Sequence, residues 1–183
     1  MAFQSDKQHP IVPREKLDFG LNDSIPKYWF GGDPFRTRFF DAMSLIFPPG
    51  EKFFMVTVRD FRDQVTDPKL LQDIKDFNRQ EAQHSMVHNQ YNDLLRKQGM
   101  PVDELIAWLD NLLFTKYRSR FSRQYTLAIT GALEHLTALG AHAMFDERDI
   151  LGDAHPNVRA MYAWHAIEEV EHNKVHKFFF EPS

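Results

Sequence analysis

Two Glu-x-x-His pairs are the clearest indication of chemistry in this sequence. Glu81 and His84 form one pair, within RQEAQH, and Glu169 and His172 form the other, within EEVEH. Residues three apart in a helix lie on one face, so each pair can direct a carboxylate and an imidazole toward the same point. The chain has no cysteine, which excludes thiolate ligands and disulfides. The pairs predict a metal site built from oxygen and nitrogen ligands.

Two single glutamates extend this ligand set. Glu134 lies within the apolar stretch LAITGALEHLTALGAH, where a carboxylate without a metal or a partner would be costly to bury. Glu51 follows FPPG, and its alternative role is that of a first-turn glutamate favoured by the helix dipole. For Glu81 the alternative is a surface ion pair with Arg79 or Lys75.

His165 precedes Glu169 by four positions and His172 by seven. At about 100° per residue the three side chains fall within an arc of roughly 60°. We expect His165 to add a third nitrogen ligand, and the alternative is a hydrogen-bond donor to a ligand. The predicted metal ligands are therefore Glu51, Glu81, His84, Glu134, His165, Glu169 and His172.

Four further residues are candidates for the surroundings of the site. His88 and His176 continue the histidine faces by one turn, and Tyr162 precedes His165 by three positions. Glu168 competes with Glu169 as a ligand, but only Glu169 completes the spacings to both His165 and His172. Glu168 is instead expected to pair with solvent or with charges on other helices.

The charge balance of the four glutamates favours two divalent ions, since two such ions neutralise four carboxylates. Glutamates that shift between bridging and terminal positions suit a metal that changes oxidation state. We therefore expect two iron ions, then manganese or a mixed Mn/Fe pair, with zinc less favoured.

The helices that must position these residues can be predicted from the positions of proline and glycine and from the spacing of apolar residues. Residues 1–33 are rich in proline and glycine and are predicted to form an irregular arm, followed by one helical domain over residues 34–183. Asp33-Pro34 starts a helix that Pro48-Pro49-Gly50 is expected to break at Phe47. Further helices are predicted at Glu51 to Val65, from Asp67-Pro68 to Gly99, after Pro101, at Ser119 to Phe145 and at Pro156 to Phe180. The fold class predicted is all-α, an antiparallel bundle.

The order Glu, Glu-x-x-His, Glu, Glu-x-x-His resembles the ligand set of ferritin-like dinuclear carboxylate bundles. The segments FPPGEKFF, RQEAQH, ALEH and WHAIEEVEH together resemble a bacterial family of predicted metal-dependent hydrolases, over about residues 15 to 178. The three histidines of the last helix are also similar to those of di-iron arylamine N-oxygenases. Chains of the first family continue beyond the last motif, so the resemblance implies a domain shortened at its C-terminus.

These resemblances imply three functions. The first expectation is a di-iron oxidase or oxygenase, with O₂ and a small organic molecule as substrates. It would need an external electron donor, because the chain has no cysteine or flavin motif of its own. The alternative is a metal-dependent hydrolase, which the family description implies. The third is a non-enzymatic, ferritin-like iron-binding protein.

Composition and charge indicate which classes of binding partner and which cellular location to expect. A net charge of −4 without a clustered basic patch argues against nucleic acid. No apolar run approaches the about 18 residues of a membrane span, and the polar start MAFQSDKQHP predicts a cytoplasmic protein. The aromatic content, with 17 phenylalanines, and the short C-terminus make a homodimer a reasonable expectation.

Overall fold

The computed structural model describes residues 10–146 and 150–172. In this part of the chain the regular elements are helices, and an isolated antiparallel bridge joins Phe30 to Ala154. The five α-helices are α1 (Pro34–Arg59), α2 (Pro68–Lys97), α3 (Val102–Asp110), α4 (Arg123–Asp146) and α5 (Pro156–Glu171). A 3₁₀ turn at Arg62–Gln64 follows α1, and a π-helical segment at Asn111–Tyr117 extends α3. The predicted all-α class is confirmed.

Three helices begin as their sequences predict, with proline in the first turn. Asp33 accepts hydrogen bonds from the backbone N–H groups of Phe35 and Arg36 at the start of α1. Asp67 does the same for Lys69 at the start of α2. These caps satisfy N–H groups that have no acceptor within the helix, which fixes where each helix starts.

The predicted break at Pro48-Pro49-Gly50 is wrong, because α1 continues through both prolines to Arg59. The predicted separate helix from Glu51 to Val65 is therefore the second half of α1. A proline inside a helix leaves the carbonyl four residues earlier without its donor. Here the Asn92 side chain on α2 donates to the Ser44 carbonyl at 3.1 Å, so the contact with α2 replaces the bond that Pro48 cannot make.

Side-chain contacts show how the helices are arranged. Along α1 and α2 the contacting pairs run in opposite directions, since Glu51 meets Ser85 and Ser44 meets Asn92. The contacts between α2 and α5 are also antiparallel and comprise Gln80–His172, His84–Glu168 and His88–His165. Helix α4 joins them through the hydrogen bonds Thr57–Thr130 and Glu134–His172. The helices α1, α2, α4 and α5 thus form a bundle, and α3 connects its two halves.

The irregular segment before α1 packs onto this bundle. Trp29 is buried and donates through its indole Nε1 to Asp41 at 3.0 Å, and the Tyr91 hydroxyl donates to the same carboxylate at 2.6 Å. Trp29 also stacks on Tyr162 of α5. These aromatic contacts hold the segment on one end of the bundle.

Helix α5 is described as far as Glu171, with His172 at its C-terminal cap. The predicted continuation to Phe180, and the candidate residue His176, lie outside the described residues. None of the described helices is long and apolar enough to cross a membrane.

Candidate metal centre

All seven predicted ligands meet inside the bundle. Helix α1 contributes Glu51, α2 contributes Glu81 and His84, α4 contributes Glu134, and α5 contributes His165, Glu169 and His172. Each of the seven residues is at most 5% exposed. Glu51 lies in the middle of α1, so the helix-dipole role considered for it does not apply. Glu81 is fully buried, which excludes the surface ion pair considered for it.

The ligand atoms form two neighbouring triads. The first triad is Glu51, His84 and His165, and the second triad is Glu81, Glu169 and His172. Within each triad one ligand atom per residue lies within 4.8 Å of the others, a spacing that could accommodate one ion.

Glu169 connects the two triads. Its Oε1 lies 3.1 Å from Nε2 of His165 and 3.7 Å from Nδ1 of His84, both in the first triad. Its Oε2 lies 3.6 Å from Nδ1 of His172 in the second triad. Glu134 adds a carboxylate on the same side, with Oε2 at 2.9 Å from Nδ1 of His172. Glu169 can therefore offer one oxygen to each of two ions.

The buried polar atoms without hydrogen-bond partners test whether metal ions fit here. Most of those in the described part of the chain belong to predicted ligands: Glu51 Oε1, both oxygens of Glu81, His84 Nδ1, Glu134 Oε1 and Glu169 Oε2. A buried polar atom without a partner costs about 1–3 kcal/mol, and such atoms are rare in folded proteins. Their concentration at one point fits the binding of metal ions, which would bond to all of them at once.

Without metal, the electrostatics of the site are strained. Burial raises the pKa of Glu51 and of Glu81 well above the usual value, and the neighbouring carboxylates add to this. Burial likewise raises the pKa of Glu134 to about 7. Burial alone would lower the pKa of His172, but Glu134 and Glu169 outweigh it and raise that pKa well above the usual value. Bound cations would stabilise the ionised carboxylates in place of these protons.

A chain of hydrogen bonds orients His165. The Ser44 hydroxyl donates to the Asn92 amide oxygen at 2.9 Å, and so it accepts from Nδ1 of His88, also at 2.9 Å. His88 then accepts at Nε2 from Nδ1 of His165, at 2.8 Å. This places a proton on Nδ1 of His165, and it turns Nε2 toward Glu169 and the first triad.

The other two histidines are oriented by different partners. His84 donates from Nε2 to Glu168 Oε2 at 3.0 Å, which leaves its Nδ1 free to face Glu51. His172 donates from Nε2 to the Gln80 amide oxygen at 3.1 Å, so its Nδ1 faces the second triad. All three histidines thus turn one nitrogen inward and hold the other by a hydrogen bond, as metal-binding histidines generally do.

Glu168 and Tyr162 contact parts of the chain that sequence reasoning did not anticipate. Glu168 does not pair with solvent, because it is buried; it accepts from His84 on α2 and also contacts Arg14 of the N-terminal segment at 3.1 Å. Tyr162 donates its hydroxyl to the Phe40 carbonyl at 2.5 Å, and its ring lies against His88. Arg14 lies far from every motif in sequence, so no spacing indicated it.

Gln80 and Ser85 were also missed, although each is next to a predicted ligand. Each is a polar residue beside a Glu-x-x-His pair on α2, and that position was the available signal. Ser85 donates to Glu51 Oε2 at 2.6 Å. It also lines a cavity of about 630 Å³ between α1, α2 and α3, together with Pro48, Met55, Met86 and Ile106. The cavity therefore reaches within one side chain of a predicted ligand.

The fold and the site together define an all-helical protein with a buried carboxylate–histidine site suited to metal ions. A family model described as "Predicted metal-dependent hydrolase" matches residues 13–177, and the chain belongs to this family. The suspected family resemblance is confirmed. No curated protein and no solved structure matches the chain.

Proposed function

We propose that this protein is an enzyme whose centre binds two metal ions, one at each triad, with Glu169 bridging them. The observation that carries the proposal is the position of Glu169, whose two oxygens face His165 and His84 on one side and His172 on the other. Glu51, His84 and His165 would hold one ion. Glu81, Glu134 and His172 would hold the other.

Hydrolysis is the reaction that we place first, because the family description names it. Two metal ions would supply a nucleophile at neutral pH and polarise a carbonyl or phosphoryl group. The chain itself would orient the site through the hydrogen bonds that hold the outer nitrogens of its histidines. The cavity beside Ser85 supports a substrate that approaches Glu51, with apolar groups against Met55 and Met86.

Oxidation of a small organic molecule by O₂ is the second candidate. It is supported by the donor set, in which four carboxylates accompany three imidazoles, because such oxygen-rich sites suit iron and manganese. Bound iron would supply the redox chemistry, and the electrons would come from an external donor.

The test begins with metal content. Wild-type protein from media rich in iron, manganese or zinc should contain about two ions per chain, as measured by elemental analysis. Glu134→Ala and His172→Ala should lose metal, whereas Glu104→Ala, at an exposed position on α3, should retain it. A folded wild-type protein without stoichiometric metal would refute the proposal, and uptake far beyond two ions would indicate iron storage instead.

Activity assays on the metal-loaded protein then distinguish hydrolysis from oxidation. A hydrolase loaded with zinc or manganese should cleave members of an ester, amide and phosphoester panel under anaerobic conditions. An oxidase loaded with Fe(II) should consume O₂ stoichiometrically and leave the same panel intact. Glu134→Ala is the control in both assays, since contaminating activity would persist in it.

A further inference from the structure

The N-terminal segment at residues 11–15, which we call the strap, contacts the outer side of the metal centre. We propose that Arg14 in the strap is a positioning residue that orients one histidine of each triad for metal binding. This inference rests on the proposed dinuclear centre. It assigns to a segment outside every sequence motif a role in assembling that centre.

The first link runs from Arg14 to His84. The Arg14 guanidinium donates from Nη1 to Glu168 Oε1 at 3.1 Å, and its backbone N–H donates to the same oxygen at 3.2 Å. The other oxygen of Glu168 accepts from Nε2 of His84 at 3.0 Å. Glu168 is fully buried, and Arg14 is the cation that contacts it in the described part of the chain. The strap therefore holds the carboxylate that fixes the ring of a first-triad ligand.

The second link runs to His172 through Glu171 and Gln80. Arg14 donates from Nη2 to Glu171 Oε1 at 2.7 Å, and the Val12 N–H donates to Glu171 Oε2 at 3.0 Å. The Gln80 amide nitrogen donates to that same Oε2 at 2.8 Å and to the Val12 carbonyl at 3.3 Å. With its NH₂ group held in this way, Gln80 must turn its oxygen toward Nε2 of His172. The strap thus also fixes a ligand of the second triad.

The geometry explains why arginine is required at this position. A guanidinium presents several donors in a fixed plane and can contact two carboxylates at once, whereas an ammonium is a single point charge. Ile11 anchors the strap by packing, buried, in a cluster with Phe53 and Phe77. If Arg14 is truncated, two nearly buried carboxylates lose their cation and turn toward water, and Glu168 then releases His84.

Metal affinity is the appropriate measurement, with Arg14→Ala, Arg14→Lys and Arg79→Ala as variants. Arg79 is the matched control, because it pairs at 2.6 Å with Glu15 of the same strap but is 57% exposed and has no contact with Glu168 or Glu171 among its described hydrogen bonds. Cobalt(II) affinity is measured by competition with a chromophoric chelator, and the cobalt absorption spectrum reports the ligand geometry. Circular dichroism verifies that each variant is folded.

We expect Arg14→Ala to bind cobalt about 10- to 100-fold more weakly than wild type, the range found when outer partners of metal ligands are removed. Arg14→Lys should be intermediate, with an altered cobalt spectrum, and Arg79→Ala should lie within about twofold of wild type. Arg14→Ala within twofold of wild type, or Arg79→Ala as weak as Arg14→Ala, would overturn the inference. If Arg14→Ala does not fold, Arg14→Lys decides alone: weaker binding supports the inference and unchanged binding overturns it. Wild-type protein that binds no cobalt would instead refute the dinuclear centre itself.

Discussion

Replacing Glu81 by methionine should stabilise the metal-free protein while removing metal from the second triad. Glu81 is fully buried, and neither of its carboxylate oxygens has a hydrogen-bond partner. Burial also raises its pKa well above the usual value, so in the absence of metal the side chain is costly to ionise and its oxygens remain unsatisfied. Methionine has a similar length and no such oxygens, and it tolerates irregular packing.

The magnitude follows from the cost of buried polar groups without partners. At about 1–3 kcal/mol for such a group, Glu81→Met should raise the free energy of unfolding of the metal-free protein by roughly 2 kcal/mol. For a chain of 183 residues this corresponds to a rise in melting temperature of about 4–8 °C. In excess metal the order should reverse, because wild type gains about 2.7 kcal/mol per site at a metal concentration of 100 Kd and the variant loses that gain at one site.

Gln80→Met is the matched control, because Gln80 is the preceding residue and equally buried, but both ends of its amide are bonded. Its replacement should destabilise the chelated protein by roughly 1–3 kcal/mol, in contrast to Glu81→Met. Urea denaturation of the two variants and wild type, in chelator and in excess metal, measures all of these differences. If Glu81→Met destabilises the chelated protein as much as Gln80→Met does, the unpartnered oxygens are not a source of strain and the reasoning is wrong.

Four further predictions concern the same centre and the assembly. Glu169→Gln should weaken the binding of both ions rather than one, because the two oxygens of Glu169 face different triads. Loss of only one ion per chain, as measured by elemental analysis, would exclude the bridging position. As pH rises through neutrality the metal-free protein should become less stable, as measured by urea denaturation. The pKa of Glu134 is raised to about 7 and the pKa values of Glu51, Glu81 and His172 are raised well above their usual values, so the folded state holds protons that the unfolded state has released, and that stability is lost as these groups deprotonate. Metal affinity should rise over the same range because binding displaces these protons, and a calorimetric titration showing no proton release would contradict this. The expected homodimer remains a prediction; sedimentation of wild type and of Leu136→Glu, which alters an apolar residue that is 61% exposed on α4, would test it.

The identity of the ligands was largely determined by the sequence, because helical periodicity is a local property. Glu-x-x-His places two side chains on one face wherever the helix lies, and an apolar stretch around Glu134 indicates a buried carboxylate. The same local reasoning located the starts of α1 and α2 from aspartate followed by proline, and the start of α5 from Pro156. It was wrong at Pro48-Pro49, because the donor that compensates for Pro48 is the side chain of Asn92 on another helix.

Only the tertiary structure decided how the ligands are grouped and how they are oriented. Glu169 meets His165 and His172 at spacings within α5, but its contact with His84 depends on how α5 packs against α2, and no spacing within one helix contains that information. Arg14 and Glu168 are 154 positions apart, and nothing in the segment around Arg14 indicates a carboxylate partner. Local periodicity determines which side chains share a face, whereas packing determines what that face meets. The ligands could therefore be named from the sequence, and the hydrogen bonds that orient them required the folded chain.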